Sequence, residues 1–251
     1  MAGTIKALFL DIDGTLISGE AGPFKDDVEQ IEKARRRGHK VFLNTGRSLA
    51  FIPRTIREAS FFDGIVAGGG AHVLLGGKTI YHKWIAPDLL SEVAALYLKN
   101  GKWCFLEGET ENLIINEKEG PYPRVFRGDD FSGKYAGILI TKLTMDKRFT
   151  PEERFFLEKH FHIYDLGIHA EGIIRGESKA AGMEIILKTL GISLENSIAI
   201  GDSENDMTMI RHAGIGIAMG NACAALKAAA AEITAPCGEG GIARAIERHL
   251  S

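Results

Sequence analysis

Ile5-Lys6-Ala7-Leu8-Phe9-Leu10-Asp11-Ile12-Asp13-Gly14-Thr15-Leu16 is the stretch whose reading decides the fold. A nearly unbroken apolar run stops at an acidic pair, the pattern of a strand buried on both faces that opens into a polar loop. Working outward, residues 25–37 place Val28, Ile31 and Ala34 on one helical face, followed by Gly38, a residue suited to a helix C-terminus. Lys40-Val41-Phe42-Leu43 reads as a second strand and runs into Asn44-Thr45-Gly46-Arg47. A helix over residues 51–59 then leads to a third strand at Ile65-Val66-Ala67. Strands alternating with helices predict a parallel sheet, and such sheets hold ligands at the carboxyl ends of their strands.

The far end of the chain resumes this style. A helix over 178–190 closed by Gly191, a strand at 197–200 ending in Gly201-Asp202, a helix over 205–212 and a strand at 216–218 follow one another. An alanine-rich helix over 222–230, a strand at 232–234 and a last helix over 242–250 complete the series. From about Trp84 to Leu166 the order changes to a helix at 87–99, strands at 103–106, 113–115 and 135–142, and a helix at 151–159. The expectation is an α/β fold with a Rossmann-like parallel-sheet core in two segments, residues 1–83 and 169–251. An α+β cap domain over 84–168 is inserted between them, with hinges near 81–87 and 167–177.

Composition narrows the function. With 45% hydrophobic and 25% charged residues, a sizeable core is available and neither a disordered nor a fibrous chain is supported. The net charge of −3 comes from basic and acidic residues spread along the chain, so neither nucleic acid nor a membrane surface is an expected partner. A small molecule is. Cys104, Cys223 and Cys237 form no CxxC spacing, which argues against a disulfide framework or thiolate metal site and fits a reducing cytoplasm. The opening residues carry no leader pattern, because Asp11 and Asp13 interrupt the apolar run, and no stretch approaches the ~20 apolar residues of a membrane helix. Oligomeric state stays open between monomer and homodimer.

Four clusters carry chemistry, each ambiguous alone. Asp11 and Asp13 are carboxylates two apart past a strand; they repel unless a cation or shared proton intervenes, although Asp13-Gly14 also suits a plain turn. Thr45-Gly46-Arg47 offers a hydroxyl and main-chain N–H groups to an oxyanion, or is simply a loop. Lys179 follows Ser178, a fitting N-cap, and opposes the helix dipole unless an anion is present; a solvated surface lysine is the plainer alternative. Gly201-Asp202-Ser203-Glu204-Asn205-Asp206 crowds oxygen ligands at a strand end, as a hard cation or a helix cap would require. Arg124, Arg127 and Lys134 are candidates for a second anionic group on the substrate or ordinary surface charges, and His72, His82 and His169 read as structural.

In that order the four clusters resemble the motifs of the haloacid dehalogenase superfamily of phosphatases. Ala218-Met219-Gly220-Asn221-Ala222 also resembles a segment of its Cof-type subfamily, whose cap is of the C2B kind. The likeness covers both core segments, while the inserted domain matches in position and size. Ala180 stands where that subfamily usually has glycine, and Gly68-Gly69-Gly70-Ala71 replaces a more usual Asn-Gly pair. The resemblance implies a phosphatase acting on a small phosphomonoester, a sugar phosphate or similar metabolite. Asp11 would be the nucleophile and form an aspartyl-phosphate, with Asp13 as general acid and then base. Mg2+ would be held by Asp11, the Asp13 carbonyl and Asp202; Thr45, Gly46, Lys179 and Asn205 would bind phosphate, with Asp206 and Asn221 in support. A phosphomutase or other phosphotransferase using the same aspartate is one alternative, and a binding protein that has lost catalysis is another.

Overall fold

The structure is a computed structural model that describes residues 4–116 and 121–250; residues 1–3, part of the expectation about a leader, lie outside the described residues. In chain order the elements are β1 (Ala7–Leu10), α1 (Lys25–Arg36), β2 (Lys40–Asn44), α2 (Arg54–Arg57), β3 (Gly64–Ala67), β4 (His72–Leu75) and β5 (Lys78–His82). They continue with α3 (Pro87–Asn100), β6 (Cys104–Gly108), β7 (Asn112–Ile115), β8 (Ile140–Met145), α4 (Pro151–His160), β9 (Phe161–Asp165) and β10 (Ala170–Ile174). The chain closes with α5 (Lys179–Leu190), β11 (Ser197–Gly201), α6 (Met207–His212), β12 (Ile215–Ala218), α7 (Ala224–Ala229), β13 (Glu232–Ile233) and α8 (Gly241–His249). Two compact units result: one gathers the chain up to Gly46, Arg54–Tyr81 and everything from Ser178 on, the other Arg47–Pro53 and His82–Glu177.

The first unit is built on a sheet of order β13-β12-β11-β1-β2-β3-β4-β5. The strands from β13 to β3 are parallel, and β4 turns back antiparallel on β3. All four residues of β1 are buried, as a central strand covered on both faces must be. From β1 the chain winds outward through β2 to β3, and from β11 it winds the other way through β12 to β13. The winding therefore reverses between β1 and β11, the place where open parallel sheets form ligand crevices. Asp27 of α1, fully buried, accepts a hydrogen bond from the Ala243 N–H in the first turn of α8 and joins the two helices.

The second unit is a five-stranded sheet, β7-β6-β8-β10-β9, whose described pairings are antiparallel. Its core joins Leu90, Val93 and Tyr97 of α3 and Leu157 of α4 to Leu106, Leu143 and Phe161 of the strands. The α4 start is fixed by a capping box in which Thr150 and Glu153 exchange hydrogen bonds, with Pro151 at the first helical position.

The structure corrects three local expectations and adds a hairpin. The helix expected over 51–59 is only α2, because Pro53 interrupts it after a single 3-10 turn at Leu49–Phe51. The strand expected over 135–142 lies at Ile140–Met145; Tyr135 stays in a turn because its hydroxyl bonds Asp129 and the Arg124 carbonyl. The added hairpin, β4–β5, turns at Gly76-Gly77 with both glycines at positive φ. The supposed hinge over 167–177 contains β10, an interior strand paired on both sides.

Candidate active site

The register of three neighbouring strands assembles the site. Leu10 pairs with Ile200 on one side and Leu43 on the other, so Asp11, Asp202 and Thr45 leave the same edge of the sheet. Asp11 is held there by its N–H to the Ile200 carbonyl, and Thr45 by its N–H to Val66. The turn after Asp11 is tied back by the N–H groups of Leu16 and Ile17, which both donate to the Ile12 carbonyl. Gly14 is indispensable in it: its φ is +75°, and a Cβ would stand 2.3 Å from Asp202 Oδ2.

Lys179 opens α5 behind Ser178, whose hydroxyl accepts the Ala181 N–H as an N-cap. It is no surface lysine. Only 2% of it is exposed, and its ammonium donates to Asp11 Oδ1 at 2.6 Å and to Asp206 Oδ1. Asp206 is fully buried; its other oxygen accepts the N–H groups of Asp202 and Ser203 and so shapes the loop after β11. Gly201 makes room for it, since a Cβ there would meet Asp206 Cγ at 2.5 Å. Asn205 lies in the same turn, accepting the Ser203 hydroxyl at 2.8 Å. Asn221 donates to the Gly14 carbonyl and accepts the Cys237 N–H, both at 2.8 Å, bracing the first loop.

Carboxylate oxygens of Asp11, Asp202 and Asp206 lie within 4.8 Å of one another. Three carboxylates around one ammonium leave an excess of negative charge. Burial and then the Asp206 charge push the Asp11 carboxyl well above its usual range, against the pull of Lys179. Burial and Asp206 likewise raise Asp202 to about 7. Burial works against the Lys179 charge, but Asp11 and Asp206 outweigh it and hold the ammonium above its usual range. An oxygen-only donor set with surplus negative charge fits a hard divalent cation, which would relieve the repulsion. Asp13, by contrast, is exposed and is not among the three clustered carboxylates.

Thr15 belongs to the first motif, whereas Asn44 and Cys237 carry no clear sequence signal. Thr15 donates to Asp202 Oδ1 at 3.3 Å, the Cys237 thiol to the Thr15 carbonyl at 3.2 Å, and Asn44 to the Lys179 carbonyl at 3.0 Å. The run Gly68-Gly69-Gly70 does carry a signal, and its reason is close approach: a Cβ on Gly70 would meet the Ser178 carbonyl oxygen at 2.1 Å. Lys134 is engaged by Asp129 at 2.9 Å and lies over the Tyr135 ring, within an exposed part of the second unit. His72 bonds the Thr79 hydroxyl at 2.9 Å.

Residues 8–246 match the haloacid dehalogenase-like hydrolase family. The chain is 26% identical to the phosphoglycolate phosphatase of Methanothermobacter thermautotrophicus, over 98% of its own length and 99% of the relative's. It is also 26% identical to the 5-amino-6-(5-phospho-D-ribitylamino)uracil phosphatase YcsE of Bacillus subtilis, covering 98% and 95%. Among solved structures it is similar to the subclass IIB sugar phosphatase BT4131, with a TM-score of 0.83, 31% identity and 97% and 98% of the two chains covered. No helix among the described residues is long and apolar enough to cross a membrane.

Proposed function

Because the chain belongs to the haloacid dehalogenase-like hydrolases and is a phosphatase, we propose that it hydrolyses a small phosphomonoester through Asp11 with the help of Mg2+. The observation that carries this reading is the buried contact of Lys179 with Asp11 at 2.6 Å, beside Asp202 and Asp206.

The steps assign a role to each group. Asp11 attacks phosphorus through a carboxylate oxygen; a new P–O bond forms as the bond to the leaving oxygen breaks, and Asp13 donates a proton to that oxygen. Asp13, now a carboxylate, takes a proton from a water that attacks the same phosphorus, and the bond to Asp11 breaks to release inorganic phosphate. Its exposure suits a group that exchanges protons with substrate and water. Lys179, the Thr45 hydroxyl, the Gly46 N–H and Asn205 stabilise the phosphoryl oxygens, Asp206 orients Lys179, and Asn221 holds the loop that carries Asp13. Asp11, the Asp13 carbonyl and Asp202 would hold Mg2+, whose charge lets an anionic nucleophile approach an anionic phosphate.

Substrate choice belongs to the second unit, whose chain connections adjoin the site in sequence: Arg47 follows Gly46, and Glu177 precedes Ser178. Phosphatase names and a sugar phosphatase among the similar proteins support a phosphorylated metabolite, with sugar phosphates the first class to try. The test is release of inorganic phosphate from p-nitrophenyl phosphate and a panel of sugar phosphates. Turnover is expected with Mg2+ and is expected to vanish with EDTA; undiminished hydrolysis in EDTA would remove the metal from the proposal.

A further inference from the structure

Strand β2 ends in a polar side chain that the core alone does not require. Asn44 is fully buried, a place where an apolar residue would avoid the cost of desolvating an amide. Its Nδ2 donates to the Lys179 carbonyl, while among the described residues no donor reaches its Oδ1. Buried amides left half-satisfied are uncommon in cores and concentrate where function demands them. Asn44 pairs in register with Val66, and Val66 Cγ1 lies directly under Gly182 of α5. Gly70, meanwhile, lies against the Ser178 carbonyl. The first turn of α5 is thus seated at three successive points: Ser178 on Gly70, Lys179 on Asn44, Gly182 on Val66.

We infer that Asn44 is a positioning residue for Lys179. It pins the main chain at the base of a long, flexible side chain, so that the buried ammonium reaches Asp11 and Asp206 together. Small displacements of such a group are costly in turnover. The inference rests on the reading of Lys179 as the group that stabilises the phosphoryl oxygens.

The test is a double-mutant cycle. Asn44→Leu, close in volume, and Asn44→Ala are made in the parent chain and in Lys179→Met, with folding checked by thermal unfolding. Turnover of p-nitrophenyl phosphate with Mg2+ and calorimetric binding of inorganic phosphate are then compared. In the parent, each Asn44 variant is expected to lose about tenfold in kcat with little change in KM, and to bind phosphate more weakly. In Lys179→Met the same substitutions are expected to change phosphate binding less than about twofold, because the group they serve is gone. Equal losses in both backgrounds, or full kcat in either folded Asn44 variant, would overturn the inference. Wild-type rates in Lys179→Met alone would overturn the reading of Lys179 instead, so the two failures are distinct.

Discussion

At the scale of single residues, Gly14 shows how the needs of a turn and of the packing beside Asp202 coincide. The Asp13-Gly14 pair makes a turn, and the missing side chain also leaves the space that Asp202 occupies. Gly14→Ala must strain a positive φ, at ~1–2 kcal/mol, and drive a methyl into a carboxylate oxygen. It is expected to lower kcat/KM by about 100-fold or more, since displacement of reacting groups by ~1 Å costs that much. Steady-state kinetics beside a melting curve check it; wild-type kinetics would show that the loop has slack. Of the residues brought together at the candidate site, those legible from sequence lie in tight local patterns: Asp11 at the end of its apolar run, Lys179 behind its N-cap, and Asp202 and Asp206 in one acidic loop. Asn44 and Cys237 were not legible, because each makes its contact, with the Lys179 carbonyl and the Thr15 carbonyl, from outside any such pattern. Spacing carries no trace of such pairings.

At the scale of elements, the placement of α5 decides where Lys179 stands. A Cβ on Gly182 would fall 2.3 Å from Val66 Cγ1, so the helix rests on β3 with no methyl between. Helix propensity alone makes Gly182→Ala favourable by ~1 kcal/mol, whereas overpacking costs about 1–3 kcal/mol. The clash wins, and net destabilisation with reduced kcat is expected. Adding Val66→Ala removes the opposing methyl and should restore part of both losses. Urea denaturation of the single and double variants checks this; a stabilised Gly182→Ala would mean that α5 shifts freely. The parallel strands and their long helices were legible because continuous apolar runs and amphipathic faces are strong signals. In the inserted unit the sequence over 167–177 reads as a hinge rather than a strand, since Gly172 interrupts the β10 pattern and Gly167 and Gly176 flank it. Gly172 packs against Met145, whose terminal Cε a Cβ there would meet at 2.7 Å.

At the scale of the whole molecule, charge placement sets the response to pH and metal. Away from the site, Asp63 joins α1, β2 and the approach to β3: it accepts from Arg35 through both oxygens and from the Val41 N–H. Burial raises its proton affinity, but the Arg35 hydrogen bonds, the Val41 N–H and Lys40 outweigh that and hold it below the usual carboxylate range. A carboxyl with a lowered folded-state pKa stabilises the fold above its unfolded value, near 3.9, and loses that contribution as pH falls through the folded value. Asp63→Asn is therefore expected to cost roughly 1–2 kcal/mol at neutral pH and progressively less below about pH 4. Chemical denaturation across pH checks it; a pH-independent difference would assign the loss to packing. The site poses the opposite problem, three carboxylates gathered near one lysine, and the proposed remedy is a divalent cation that lets Asp11 act as a nucleophile there. The most direct measurement is an acid quench of the enzyme in turnover, followed by mass spectrometry of the peptide containing Asp11. A phosphoryl adduct on Asp11 is predicted with Mg2+, absent in EDTA and absent in Asp11→Asn. Steady turnover with no adduct at any quench time, or an adduct on another residue, would contradict the account.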